Sequence, residues 1–314
     1  MSVLNILSAP RNSRSGNLRF AFAILAVLVV IAAASSPEFF TAQNIKNVIA
    51  QTAPLILASI GQMMVVVTGG LDVSNGAVVS LTTTLVAMPY HDAINLSLAF
   101  GAALMIGLAN GYGVARLNVH PIIMTLATMS IAQGIALLLR PIPGGDVPAW
   151  LIGAVNGNLG AVPGSLFWVV VPACVAAWLL YRRPFGVHLF AAGSNAENAR
   201  LNGIKTQRII IAAYVLSSLF AFIAGLYLAG RLSSGDAKVG NAFNIDSVMA
   251  VALGGVQLSG GVGSLLGTVI GALLVSLIGN TMNLSNISAF VQLGVKGLLL
   301  LAVVSLQRRK EIGL

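Results

Sequence analysis

Charge is what this sequence has least of. Of its 314 residues only 8% are Asp, Glu, Lys or Arg, while 57% are hydrophobic; a soluble globular domain carries roughly 25% charged residues. So few charges cannot coat a water-facing surface of this size. A soluble monomer, a disordered chain and a collagen-like chain are excluded. Cysteine is nearly absent as well. Cys174 stands alone inside an apolar run, so there is no intrachain disulfide and no cysteine metal site, and a small core residue is the expected role. Acid is scarcer than base, with 8 Asp and Glu against 17 Lys and Arg and a net charge of +9. The basic residues form no patch of the kind that binds nucleic acid. They sit between apolar runs, where positive charge sets membrane orientation. What remains is a polytopic, all-α membrane protein, in keeping with a mean hydropathy of +0.92.

Catalytic signatures are missing too. No glycine-rich stretch ends in Gly-Lys-Ser/Thr, so ATP is not bound through a Walker motif. There is no His-Glu-x-x-His, no Cys-x-x-Cys and no Gly-x-Ser-x-Gly. His91, His120 and His188 are scattered over expected loops and span ends, and no convergent nucleophile, acid and base is visible.

A helix needs about 20 mostly apolar residues to cross the hydrocarbon. The sequence offers ten spans: Leu18–Ser36, Ile45–Thr68, Asn75–Met88, Ala93–Arg116, Pro121–Leu139, Ser165–Tyr181, Arg208–Gly230, Ser247–Leu258, Gly263–Met282 and Ile287–Leu306. The third and eighth are short, which suggests broken or re-entrant helices. Arg11, Arg14, Arg19 and the small residues Ala32–Ser36 resemble a signal peptide, but the first run is long for one and reads as a retained helix. With ten spans, twelve of the 17 basic residues fall on the side of the termini and four on the other, with Lys296 inside the last span. That bias puts both termini in the cytoplasm. Glu38, Asp92, Asp146, Asp236 and Asp246 then fall outside. One transmembrane domain spans 1–314, with an N-tail (1–17), an external loop (140–164), a cytoplasmic loop (182–207) and a C-tail (307–314). No loop can hold a soluble domain.

Two glycine segments echo one another 185 residues apart, Gly69-Gly70-Leu71-Asp72-Val73-Ser74-Asn75-Gly76 and Gly254-Gly255-Val256-Gln257-Leu258-Ser259-Gly260-Gly261. Asp72 faces Gln257, and each copy ends an inward-running span, so the copies run parallel. Transporter halves are often repeats, and glycine-interrupted spans at matching positions point to the pathway. The same residues also suit plain cytoplasmic turns. Asp72 and Lys296 are the clearest ionisable residues at membrane depth, and each needs a cavity, a subunit contact or an opposite charge. Thr125 and Thr128 share one face of the fifth span. They suit a path for a polyhydroxylated solute and interhelical hydrogen bonds equally. Gly263, Gly267 and Gly271 form a close-packing stripe. In the cytoplasmic loop, Ser194 or Asn195 caps a short helix over Ala196–Leu201 that Gly203 ends.

In five stretches, taken in order along nearly the whole chain, the sequence resembles the permease subunits of ribose-type ABC sugar importers. The stretches are TGGLDVSNG (Thr68–Gly76), PIIMTLATM (Pro121–Met129), AAGSNAENARLNGI (Ala191–Ile204), LYLAGRLSS (Leu226–Ser234) and the LGGVQLSGGVGSLLGTVIG ending at Gly271. The resemblance implies a permease paired with a second copy or a paralogue in the inner membrane. It also implies a separate ATPase subunit that binds the ATP and Mg, a periplasmic solute-binding protein, and a sugar-like solute. This chain would then bind no cofactor or metal and catalyse no reaction. Gly193, Asn195, Arg200, Leu201, Gly203 and Ile204 match the segment that seats on the ATPase. Asp72, Ser74, Asn75, Thr125, Thr128, Gln257 and Ser259 are the expected residues of the pathway or gate. Val73 and Asn75 depart from the family pattern Gly-Gly-x-Asp-Leu-Ser-Val-Gly and leave the sugar's identity open. A stand-alone secondary carrier or channel is the competing expectation.

Overall fold

The computed structural model describes residues 37–159 and 162–306, with Ala26, Val29, Val30 and Ala33 as helical positions before them. Apart from those four positions the first expected span, Leu18–Ser36, lies outside the described residues, as do the tails 1–17 and 307–314. The regular structure of the described chain is helical save for two paired strands of two residues each. Its elements are α1 (Ala42–Val67), α2 (Asn75–Val86), α3 (Asp92–Ala115), α4 (Pro121–Leu139), α5 (Ala149–Asn156), β1 (Asn158–Leu159), β2 (Val162–Pro163), α6 (Gly164–Tyr181), α7 (Pro184–Ser194), α8 (Ala196–Leu201), α9 (Thr206–Leu232), α10 (Phe243–Leu253), α11 (Leu265–Leu284) and α12 (Ala289–Leu306).

Local chemistry sets many of the boundaries. Thr41 Oγ1 accepts from the Asn44 amide at α1, and Ser264 Oγ accepts from Gly267 N at α11. Pro121 and Pro184 open α4 and α7, where a missing N–H costs nothing. Among the described residues six helices (α1, α3, α4, α6, α9 and α11) are long and apolar enough to cross a membrane. The apolar α2, α10 and α12 are shorter.

α1 and α9 form the antiparallel centre. Tyr227 Oη and Arg231 Nη1 near the end of α9 both donate to Ala50 O near the start of α1, at 3.0 Å. A Cβ on Gly61 would lie 2.9 Å from Ser217 Cα, so the two backbones nearly touch. Outside this pair, α3, α4 and α6 turn large apolar side chains outward, among them Met105, Leu138 and Phe167. Water would penalise such a surface; hydrocarbon does not. Cys174 is on this exposed face, not in the core. On a helix that is apolar all round, the sequence does not tell a lipid face from a core face.

The short helices have a geometric origin. After α1 the chain folds back along it, so that Asn75 Nδ2 donates to Ala58 O at 3.1 Å. Ala58 lies nine residues before Val67, the last residue of α1, or about 13 Å along the helix. α2 therefore starts part-way up α1. After α9 the segment 233–242 runs antiparallel past α2. Thr83 Oγ1 donates to Asp236 O at 2.8 Å, and Gly240 N donates to Ser80 Oγ at 2.9 Å. Then α10 begins where α2 begins, with Gly76 N donating to Asn244 Oδ1 at 2.9 Å. Two half-length helices thus meet N-terminus to N-terminus and run apart.

Several expected boundaries need correction. The eighth span, expected over Ser247–Leu258, runs Phe243–Leu253. Asp246 is therefore inside α10, not in an external loop. The polar stretch before Ser247 hid this first turn, since half-buried helix starts carry no apolar signal. The loop 140–164 contains α5 and the hairpin, and 182–207 contains α7 as well as the short helix α8. Both extra helices are shorter than a membrane span and so left no span-length signal. Of the expected Gly263, Gly267 and Gly271 stripe, Gly263 precedes α11 and only the latter two lie on the helix. A Cβ on Gly267 would overlap Gly254 O, and one on Gly271 would overlap Ala250 O, so α11 lies directly on α10.

Candidate functional site

The centre of the polar interior is one carboxylate. α1 ends in a turn in which Gly69 N donates to Val66 O and Gly70 N to Val65 O. Gly69 has φ +82°, a conformation a side chain would strain. This turn sends residues 70–74 back against α1. Gln62, with its amide oriented to satisfy both groups, donates to Asp72 O at 2.9 Å and accepts from Asp72 N at 3.3 Å. The peptide of Asp72 is thereby clasped from α1.

The side chain of Asp72 is wholly buried. Oδ1 accepts from Ser74 N at 3.0 Å and Ser74 Oγ at 2.5 Å, and Oδ2 accepts from Ser217 Oγ of α9 at 2.8 Å. The network continues outward. Asn110 Nδ2 of α3 donates to Ser74 Oγ at 2.8 Å, and Thr128 Oγ1 of α4 donates to Asn110 Oδ1 at 2.6 Å. Asn75 Nδ2 also reaches Ser217 Oγ at 3.4 Å. Thr125 Oγ1 donates to Leu71 O at 3.3 Å. Five helices are joined through one acid. The two ion pairs among the described residues are Arg200–Glu197 and Lys296–Asp246. The Asp72 carboxylate therefore relies on donors, each worth roughly 1.5–3 kcal/mol when one partner is charged. Loss of one leaves a buried lone pair uncompensated.

Of the expected pathway residues, the structure joins Asp72, Ser74, Asn75, Thr125 and Thr128. Gln257 and Ser259 lie in a second turn of their own, where Gly260 N donates to Gln257 O and Gln257 N to Val262 O. The register of the echo shifts by one. The positive-φ residue that closes α10, as Gly69 closes α1, is Gly255, at +77°, with Gly255 N donating to Ala252 O and Val256 N to Val251 O. Gly69 thus corresponds to Gly255, and Leu258 takes the place of Asp72. The two glycine segments do meet: a Cβ on Gly260 would lie 2.8 Å from Gly69 N.

Four members of the network were not anticipated: Gln62, Asn110, Ser217 and Tyr214, whose hydroxyl is 3.5 Å from Leu71 O. Their signal was in the sequence, because each is a polar group inside an apolar span. Among the segment matched to ATPase contact, Asn195 caps α8 by accepting from Asn198 N at 2.9 Å. Arg200 pairs with Glu197 at 2.8 Å on the surface, and Leu201 is 75% exposed. Gly203, at φ +82°, ends the helix, and Ile204 N donates to Ala199 O. Gly193 instead faces inward, against α1. A separate cavity of about 630 Å³ lies between α5, α6 and α9, lined by apolar residues such as Phe167, Val171 and Ile223, and the polar network does not border it. Among the described residues no group of three His, Cys, Asp or Glu gathers as metal ligands would.

This arrangement is a bundle of membrane-length apolar helices tied together by a buried polar joint. A family model described as the permease component of a branched-chain amino acid transport system matches residues 44–304. The ribose import permease protein RbsC of Escherichia coli (strain K12) is 33% identical, over 91% of this chain and 92% of its own length. RbsC of Bacillus subtilis (strain 168) is 34% identical over 91% of each chain. The L-arabinose transport system permease protein AraH of Escherichia coli (strain K12) is 32% identical, over 92% of this chain and 89% of its own. No solved structure matches. The chain belongs to this family of transport-system permease components. It is a multi-pass membrane translocation subunit and not an enzyme.

Proposed function

We propose that this chain forms the membrane path of an ATP-driven importer for a ribose-like monosaccharide in the bacterial inner membrane. The carrying observation is the agreement in identity, over nine-tenths of the chain, with permeases named for ribose and arabinose. A partner ATPase binds ATP and Mg, a periplasmic binding protein delivers the sugar, and a second permease copy or paralogue completes the path.

The proposed topology has ten spans with both termini cytoplasmic: the nine described span helices and the segment around 18–36. Contacts between distant segments support it. The pairs Gly144–Gly235, Trp150–Asp92 and Asn44–Asn280 join ends that the alternation puts outside. The pairs Val67–Gly261, Leu265–Tyr181 and Leu71–Thr125 join ends that it puts inside. The related halves we propose are α1–α2 and α9–α10. In each, a long helix, a returning extended segment and a half-helix follow in order. The two units run in opposite senses, unlike the parallel echo read from the glycines.

Within this reading Asp72, Ser74, Asn75, Thr125 and Thr128 form the gate joint, and Gln257 and Ser259 the turn beside it. The exposed α8 with Asn195, Arg200, Leu201, Gly203 and Ile204 meets the ATPase. Reconstituted with its ATPase and binding protein, the chain should take up D-ribose only with hydrolysable ATP. Uptake without any ATPase, driven by a proton or sodium gradient, would overturn the reading in favour of a secondary carrier.

A further inference from the structure

One backbone carbonyl connects the cytoplasmic helices to the buried acid. Val67 is the last residue of α1, and its oxygen accepts from Gly261 N at 2.8 Å. A Cβ placed on Gly193, next to the last residue of α7, would overlap that same oxygen and would lie 2.8 Å from Gly261 N. A Cβ on Gly260 would lie 2.8 Å from Gly69 N and 2.9 Å from Gly193 O, and one on Gly261 would lie 2.7 Å from Ser194 Cα. Three backbones, from α7, α1 and the 254–264 turn, are therefore stacked with no side chain between them. Side chains can change rotamer to absorb a displacement; contacting backbones cannot.

We propose that Gly193 is a positioning residue, and that α7, the end of α1 and the 254–264 turn move as one rigid body during transport. This rests on the reading that α8 seats the ATPase. A push on α8 passes through α7 to the Val67 carbonyl. From there the Gly69 turn and the Gln62 clasp carry it to Asp72. Asp72 is in turn held to α3 and α9 through Ser74 and Ser217. A displacement of the α1 end relative to α9 strains the Ser217–Asp72 bond first, because hydrogen bonds weaken steeply with misalignment. Gly193 thus acts through backbone contact with α1 and not by touching the ATPase.

The test uses the full importer in proteoliposomes, with D-ribose uptake and ATP hydrolysis measured together. Gly193→Ala should lower ribose moved per ATP hydrolysed by about tenfold, the scale of a typical coupling energy, while hydrolysis continues. An unchanged ratio overturns the proposal. Backbone hydrogen exchange on the unaltered importer covers the case in which that variant does not assemble. If the three segments move as one body, the Gly261 N–H bond to Val67 O persists, and Gly261 exchanges equally slowly at rest and during ATP turnover. Exchange at Gly261 that quickens during turnover while the end of α1 keeps its protection shows that the segments slide, and the proposal fails. Leu201→Asp, on the exposed face of α8, separates the two readings. If it leaves ATPase docking intact, the assigned ATPase contact is wrong, whereas an effect there with an unaltered Gly193→Ala ratio removes the rigid joint alone.

Discussion

Lys296 Nζ lies 2.7 Å from Asp246 Oδ2, which ties the middle of α12 to the first turn of α10. Both side chains are about five-sixths buried, and α10 is the helix on which α12 packs. A lysine at this depth needs such a partner. Removing one member strands the other. Lys296→Met or Asp246→Leu alone should cost about 3 kcal/mol, whereas the two together should cost far less. Thermal unfolding in detergent checks this, and equal losses in single and double variants would contradict it.

Ser217 gives the mildest cut into the Asp72 network. Ser217→Ala leaves Oδ2 without its donor at an expected cost of about 1–3 kcal/mol. Asp72→Ala takes the acceptor from the Ser74 amide and from the Ser74 and Ser217 hydroxyls together and should remove ribose uptake while the protein still reaches the membrane. A fully active Asp72→Ala importer would rule out the gate role.

The meeting of α2 and α10 depends on the absence of a side chain at Gly76. A Cβ there would overlap Gly240 O and the Asn244 side chain. Gly76→Val should therefore unfold or misassemble the bundle, while Ser130→Ala, at an exposed position on α4, should not. Detergent-solubilised yield and monodispersity report the difference.

Topology is open to single-cysteine labelling in a Cys174→Ser background. A cysteine at Tyr90, in the exposed turn between α2 and α3, should react with a membrane-impermeant maleimide from the outside, and one at Asn198 only from the inside. The reverse pattern would invert the proposed orientation.

The span helices were legible because apolar length is written directly in the sequence. Pro121–Leu139 matches to the residue, α6 differs by one residue at its start, and α3 is shifted by one residue at both ends. The helix Ala196–Leu201 was legible from its cap, since Asn195 and Gly203 have few other uses at that spacing. The pairing of Lys296 with Asp246 was half legible. The lysine's need for a partner was plain, but the aspartate sat in a polar stretch that looked like loop. The echo's register was misread because matching Gly-Gly to Gly-Gly maximises identity, whereas the turn needs only one residue at positive φ. That residue is the first glycine in one copy and the second in the other. Gln62, Asn110 and Ser217 converge on Asp72 only once α1, α3 and α9 are packed, and no local pattern encodes that packing.

The junction at Gly76 and Asn244 also bears on how the bundle can flex. Neither α2 nor α10 passes through the middle of the structure, and the backbone on each side of their meeting point is extended or turning. A rocking motion there has no continuous helix to unwind. The ladder is already interrupted, and the hinge costs one side-chain-to-backbone hydrogen bond where an unbroken rod would surrender a whole helical turn.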